Sequence, residues 1–550
     1  MNVKSVCLLF VLAAAVRMSA AEPSVPNWGR FEQEFESTAK YVNPIQEATL
    51  SVAFVSPLGA TNRVDGFWDG GSTWRVRFSP NAPGRWTWST VCSDAANAGL
   101  HGKSGTFDCT QPDGKGRFAE HGPVRVASSR SHLEHDDGTP FFWVADTAWN
   151  GALLSTPKDW ESYLETRAGQ KFNAVMWVTT QWRASPKGDE KGELAFTGKE
   201  KISVNPEFFR RLDAKAEAAN RAGLLNVPVL LWAIGGRSAE QNPGSFLSEE
   251  QAIKLARYMV ARWQAHDVVW ILGGDGHYFG SEGEKWRRIG RAVFGDIAHA
   301  PVIMHPQGRH WVRSEFNKEN WTGLIGYQSG HGDSDESLSW LTRGPLTQDW
   351  EKAPRHPIIN LEPPYEGHLA YNSKQPLSAD LVRRTLYWSL LNGPTAGVSY
   401  GGHGVWGWDD GTKAPTDHEG TGTPLPWQKA LLMPGAQQMT NLVAFFSGIA
   451  WQDLRPLPGA VVNNPGGASP RKYIAAARST KGDLTVVYVP EERTVEVLLA
   501  SLPPSPEVKW FNPRTGETSA AVAVITDTTA QFPTPSEGDW ILWMQTQVKK

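Results

Sequence analysis

At 550 residues the chain is too long for one hydrophobic core and calls for several domains. Its formal charge of −3, with no block of Lys or Arg, argues against nucleic acid as a partner. The excess is aromatic: 26 tryptophans can fill β-rich cores and still offer indole faces on which the flat CH faces of sugar rings stack.

Residues 1–21 read as a signal peptide. Lys4 supplies the positive end, Val6 to Val16 the apolar core, and Ser19-Ala20-Ala21 a small-residue cleavage site. That core is too short for a transmembrane helix, and no later stretch is apolar enough for one. The expectation is a secreted or periplasmic protein without membrane insertion. With Cys7 inside the leader, Cys92 and Cys109 remain as one plausible disulfide in an oxidising compartment. Two cysteines without His-rich spacing make no metal site, and no cofactor is expected.

Residues 27–112 read as an all-β module. Ala48 to Val55, Thr73 to Phe78 and Arg85 to Val91 are short β-rich runs broken by Gly, Pro and Asn. Trp74, Val76 and Phe78 alternate with Arg75 and Arg77 as in a half-solvated strand. Phe67-Trp-Asp-Gly-Gly and Pro80-Asn-Ala-Pro-Gly read as turns. With no catalytic grouping among its polar residues, this is an accessory β-sandwich.

Residues 118–449 change pattern: short apolar runs alternate with amphipathic helices, the mark of parallel strands with crossover helices. The strands expected are Phe141–Ala145, Asn173–Thr179, Val227–Ala233, Val268–Leu272, Pro301–His305, Gly323–Gln328, Pro357–Glu362 and Thr395–Tyr400. Helices expected between them are Pro157–Ala168, Glu207–Ala222, Ser248–His266, Gly283–Ala298, Glu336–Asp349 and Ala379–Asn392. The fifth crossover, Arg309 to Thr322, shows weak helical periodicity. The first strand runs into Ala145-Asp-Thr-Ala-Trp149 rather than a phosphate-binding glycine loop, which favours a barrel over an open doubly wound sheet. Residues 450–546 return to β runs, closed by Trp540-Ile-Leu-Trp. The fold expected is a central (β/α)8 TIM barrel flanked by N-terminal and C-terminal β-sandwich domains.

In such a barrel, chemistry sits at the carboxyl ends of the strands. Those ends carry, in order, Asp146 and Trp149; Gln181 with Trp182; Trp232; Asp275 and His277; His305; Gln328 and His331; Glu362 and Glu366; and Tyr400, His403 and Trp406. Carboxylate, imidazole, amide and indole together suit a neutral polyol, a carbohydrate substrate, better than phosphate or metal. Glycoside hydrolysis needs two carboxyls flanking the scissile bond. Strands four and seven face each other across a barrel mouth, which singles out Asp275 and Glu362. Pro363 and Pro364 stop the seventh strand just after Glu362. Strand parity places Asn360 and Glu362 on the inner face, Ile359 and Leu361 on the helix side, and Glu366 beyond, in the loop. Other readings stand open: Glu362 as a buried ion-paired carboxylate, Asp275 as a turn residue, Asp146 as a sugar ligand or a helix cap.

Trp143-Val-Ala-Asp-Thr-Ala-Trp149, Trp270-Ile-Leu-Gly-Gly-Asp-Gly276 and Asn360-Leu-Glu-Pro-Pro-Tyr365 resemble the apiosidase-like glycoside hydrolases. The module with Asp65-Gly-Phe-Trp-Asp-Gly and Trp74-Arg-Val-Arg-Phe-Ser-Pro looks like the β-sandwich often fused ahead of such barrels. Trp510-Phe-Asn-Pro-Arg-Thr-Gly516 looks like the small β domain labelled collagen-binding in that family. The resemblance implies a retaining hydrolase with Asp275 as acid/base and Glu362 as nucleophile, and the expectation is exo action on a plant or algal polysaccharide side chain. The family's founding activity removes apiose from a pectic side chain. In the wider superfamily strand four usually ends in Asn-Glu. Here Gly274-Asp275 stands there, leaving Gln328 or His305 to meet the sugar 2-hydroxyl. The competing reading is a non-catalytic carbohydrate-binding protein on a decayed barrel.

Overall fold

The computed structural model describes residues 23–547; the leader expected at 1–21 lies outside them. The N-terminal module has two sheets. One runs Ser24–Pro26, Ser104–Thr110, Gly84–Cys92, Leu50–Val55, Thr61–Asp65, and the other Phe31–Glu36, Thr73–Phe78, Phe67–Trp68. Phe31 stacks on Phe107 and Phe54 on Phe78 between them. Trp74, Val76 and Phe78 point inward as the alternation requires. Arg77, on the other face, is not solvated. It donates to the Arg262 carbonyl at 2.8 Å and pairs with Asp213 at 3.0 Å, so this face docks on the central domain.

The expected disulfide does not form: Cys92 and Cys109 are buried free thiols. Cys109 pairs across the ladder with Gly84, whereas Cys92 ends the same strand opposite Leu50. Eight residues at about 3.3 Å each put them roughly 26 Å apart, and a bridge needs Cα atoms within about 7 Å.

Eight parallel strands build the central domain. In chain order they are Trp143–Thr147, Ala174–Val178, Leu225–Trp232, Trp270–Gly276, Val302–Pro306, Ile325–Gln328, Ile358–Glu362 and Gly397–Tyr400. Six form one curled sheet in the order five, four, three, two, one, eight; six and seven pair only with each other. The continuous ladder of a closed barrel is therefore interrupted on both sides of that pair, where single bridges, Val302 to Thr322 and Glu366 to Gly402, stand in. On one side the amides of Gly323 and Leu324 both converge on the Val302 carbonyl, which costs a register slot. On the other, Pro363 and Pro364 have no N–H to give.

The crossover helices begin where caps place them. Thr156, Asn205, Ser248, Ser334 and Ser378 each accept a backbone N–H of the first turn. The helix expected at 336–349 splits at Gly344-Pro345 into Asp335–Arg343 and Pro345–Asp349. The weak fifth crossover keeps only Arg313–Phe316. An eighth helix, Pro434–Ser447, follows the last strand. No helix among the described residues is long and apolar enough to cross a membrane.

The C-terminal module has sheets of six and three strands, with Trp540–Thr546 central in the larger, between Leu484–Val489 and Pro506–Phe511. It clamps the helix Ala379–Leu391. Buried Arg383 forks onto Asp539 at 2.8 and 2.6 Å, and Tyr387 stacks on Tyr488.

Candidate active site

A cavity of about 530 Å³ opens at the carboxyl ends of the strands, and Asp275 and Glu362 both line it. The route by which Glu362 gets there differs from simple alternation. Asn360 donates to Ser389 of the outer helix at 3.0 Å, so it faces the helix layer. Leu361 and Ile303 crowd the Cβ position of Gly326 instead. Along the pair, Tyr327 opposes Asn360 but Gln328 opposes Glu362, a one-residue bulge that turns Glu362 back into the cavity. Parity had put Asn360 on the wrong face.

Two imidazoles hold Glu362. His331 Nε2 stands 2.9 Å from Oε1, and His305 Nε2 stands 3.3 Å from Oε2, too oblique to count as a formed hydrogen bond. The other nitrogen of each ring is occupied by a backbone amide. Asp275 N–H donates to His305 Nδ1 and Tyr365 N–H to His331 Nδ1, each at 3.3 Å. An Nδ1 that accepts leaves the proton on Nε2, so both rings present N–H to the carboxylate. Burial alone would raise Glu362; the two imidazoles reverse this and hold it well below the usual carboxylate range.

Asp275 has the opposite surroundings. It adopts φ +50° between glycines. A Cβ at Gly274 would meet Trp232 and Val229 at 2.6 and 2.7 Å, and one at Gly276 would meet the Tyr278 ring at 2.3 Å. The Trp232 indole thus fills the space that a side chain at Gly274 would need. Among the described residues, the side-chain donor to Asp275 is Gln328 Nε2, at 3.3 Å from Oδ1. Burial first, then the Glu362 charge, push Asp275 up to about 6. Two carboxyls whose proton affinities are driven apart are the signature of an acid working beside an anion.

Trp149, Trp232, Gln328, His331 and Trp406 join them in the cavity wall. Other expected ligands serve elsewhere. Asp146 is fully buried and neither caps a helix nor faces sugar; it accepts from Arg167 and Tyr163 of the first crossover helix, each at 2.7 Å. Gln181 ties its loop to Phe196 and Ala195. His277 is exposed and packs on Phe279. Glu366 accepts from Tyr400 and the Gly435 amide at 2.7 and 2.9 Å, which withdraws both side chains from the cavity. His403 meets the Gly422 carbonyl and accepts from Trp406. His305 lies beneath the cavity, committed to the two carboxyl-bearing segments.

Sequence reasoning missed Trp182 (named as a strand end but not as a ligand), Arg183, Tyr365, His368, Tyr371 and His418, all of which line the cavity. Arg183 donates to His418 Nε2 at 2.7 Å, joining the loop after strand two to that after strand eight. Burial pushes His368 down to about 2 and His418 to about 4, so both rings are neutral hydrogen-bonding groups near neutral pH. His368 and Tyr371, a few residues past Pro-Pro, could have been found by reading that loop further. Nothing local marks His418. Among the described residues no group of three or more His, Cys, Asp or Glu is disposed to hold a metal ion.

Comparison with known proteins agrees with this geometry. Residues 127–453 match the family model described as "Apiosidase-like, catalytic domain". Residues 24–93 match a domain of unknown function, and 458–545 one described as "Putative collagen-binding domain of a collagenase". No curated protein sequence matches. Among solved structures, a glycoside hydrolase superposes with a TM-score of 0.69 at 20% identity, over 80% of this chain and 100% of its own. A family 5 glycoside hydrolase from Bacteroides vulgatus ATCC 8482 does so at 0.68 and 20%, over 80% and 96%. A "putative glycoside hydrolase" from the same organism reaches 0.69 at 18%, over 95% and 100%. At such identities these neighbours speak for the fold; the family match, over more than half the chain, makes this protein a member of the apiosidase-like glycoside hydrolases, and a glycosidase.

Proposed function

We propose that the protein is an exported, retaining, exo-acting glycosidase that removes a side-chain sugar from a plant or algal polysaccharide, with its eight strands acting as one (β/α)8 barrel. Glu362 is the nucleophile and Asp275 the general acid/base. The observation that carries the reading is the contrast at the cavity: Glu362 faces two N–H donors, while Asp275, partly enclosed, is driven toward its protonated form.

Asp275 protonates the glycosidic oxygen as Glu362 attacks the anomeric carbon; the leaving sugar departs as an alcohol. The C–O bond to the leaving group breaks, and an ester to Glu362 forms. Asp275, now ionised, takes a proton from water, whose oxygen attacks the same carbon and releases Glu362 as carboxylate. Retention is the outcome that the resemblance to the apiosidase-like hydrolases implies, and a Glu362 kept ionised by two imidazoles suits the nucleophile's part in it. The cavity volume lies in the range for one or a few sugar rings, which supports action at a chain end.

A panel of pectic and algal glycans, with products identified and the first-formed anomer read by proton NMR, tests the reading. Release of a single sugar with retained configuration is expected. An inverted first product overturns the nucleophile, and internal cleavage overturns exo action.

A further inference from the structure

Beneath the cavity, one buried side chain touches both carboxyl-bearing segments. We propose that His305 is a positioning residue that holds the acid and the nucleophile in opposite protonation states through its two ring nitrogens, an inference that rests on the roles given above to Asp275 and Glu362. Its Nδ1 accepts the Asp275 amide at 3.3 Å, and its Nε2 lies at the same separation from Glu362 Oε2, with the N–H oblique to it. Asp275 adopts φ +50°, a conformation that a non-glycine residue keeps only when its surroundings impose it. The Asp275 amide bond to His305 is one such constraint. It also fixes the tautomer that puts a proton, not a lone pair, against the nucleophile.

The two nitrogens therefore do separate things. The Nδ1 contact sets where Asp275 sits, and so how well it protonates the leaving oxygen. The Nε2 contact, still oblique in the free enzyme, stabilises the Glu362 charge and tightens as the carboxylate returns in the second step, in keeping with catalytic hydrogen bonds that align only along the reaction. His331 supplies the other donor to Glu362 but reaches no part of Asp275; its Nδ1 accepts from Tyr365 instead. The remaining titratable groups around Glu362 are Tyr365, His368, Tyr371 and His418; Arg183 reaches Asp275. Tyr371 and Tyr278 also feel the Asp275 charge, but among the described residues none of these groups hydrogen-bonds to both segments.

Asparagine and glutamine separate the two contacts. His305→Asn keeps an oxygen near the Nδ1 position, and His305→Gln keeps an N–H near Nε2. For His305→Asn, the acidic limb of kcat/KM should move up toward the ordinary carboxylate range, while the dependence of rate on leaving-group acidity stays as in the unmodified enzyme. For His305→Gln, the acidic limb should stay low, while unactivated glycosides slow by about 10²-fold or more and aryl glycosides with acidic phenols far less, the pattern of an impaired acid. Identical profiles for the two variants, with both limbs unmoved, would overturn the proposal. Glu362→Gly with added azide runs alongside: no recovery of glycosyl azide there removes the nucleophile reading itself, a distinct failure. Should either variant fail to fold, neutron diffraction of the unmodified protein decides. A deuteron on Nε2 and none on Nδ1 of His305 is expected, and the reverse placement contradicts it.

Discussion

Asp275 and Glu362 share one cavity and one histidine, yet the protein treats them oppositely. Glu362 is flanked by two Nε2–H groups whose tautomers are set by backbone amides. Asp275 stands in a stretch of glycines packed against Trp232 and Tyr278, with a single long bond from Gln328. Carboxyls of nearly the same intrinsic acidity thus diverge because of the donors each is given. At Glu362 the two imidazoles together outweigh burial, and at Asp275 nothing does. On the proposed roles, the ring nitrogens of strand five and of the loop after strand six, rather than the carboxyls themselves, set which carboxyl is kept ionised.

The strongest way to break that comparison is to remove the anion. Glu362→Gln keeps the shape and abolishes the charge; kcat should fall by on the order of 10⁴–10⁶-fold, as when other enzymes lose a nucleophile, with folding intact by circular dichroism. Asp275→Asn should cost about 10²–10⁴-fold on unactivated substrates and much less where the leaving group needs no proton. The same variant sharpens the pH dependence. In the proposed role Asp275 acts protonated, and its surroundings push it up to about 6, so wild-type kcat/KM should fall as pH rises through that value. Glu362 must be ionised, so the acidic fall should come only well below the usual carboxylate value of about 4.3. In Asp275→Asn the alkaline fall should vanish while the acidic one remains.

Smaller effects probe the walls. Gly274→Asn introduces a side chain that must displace Trp232. A loss of about 1–3 kcal/mol by denaturant titration is expected, the usual range for overpacking. Unchanged stability would mean that the indole does not occupy that space. Gln328→Ala removes a donor that favours ionised Asp275, so the alkaline limb should move upward by a fraction of a pH unit.

Much of the architecture was legible in the chain because its punctuation is strong. Pro363-Pro364 ends strand seven, Ser and Thr caps open the crossover helices, and apolar runs set the strands. That Asp275 and Glu362 reach one cavity was legible from their places near the ends of strands four and seven. The bulge at Leu361 was not, because it arises from pairing with strand six, and parity along one strand carries no record of its partner. The work of His305 and His331 was hidden likewise: both were read as sugar ligands, but their partners lie 57 and 31 residues away along the chain. Asp146 and Tyr400 lie near strand ends and Glu366 in the loop past strand seven, yet all three turn into buried networks, a choice set by Arg167 and by the amide of Gly435. The Cys92–Cys109 expectation failed because pairing two cysteines by elimination ignores the strand that separates them.

The most direct test of the central claim is to catch the covalent intermediate. Once the glycan panel has identified the sugar, its 2-deoxy-2-fluoro glycoside with a good leaving group should inactivate the enzyme in a time-dependent way. Peptide mapping of the inactivated protein should then place one sugar on the segment containing Glu362. A sugar on any other carboxylate, or no adduct together with an inverted product from the natural substrate, would contradict the account.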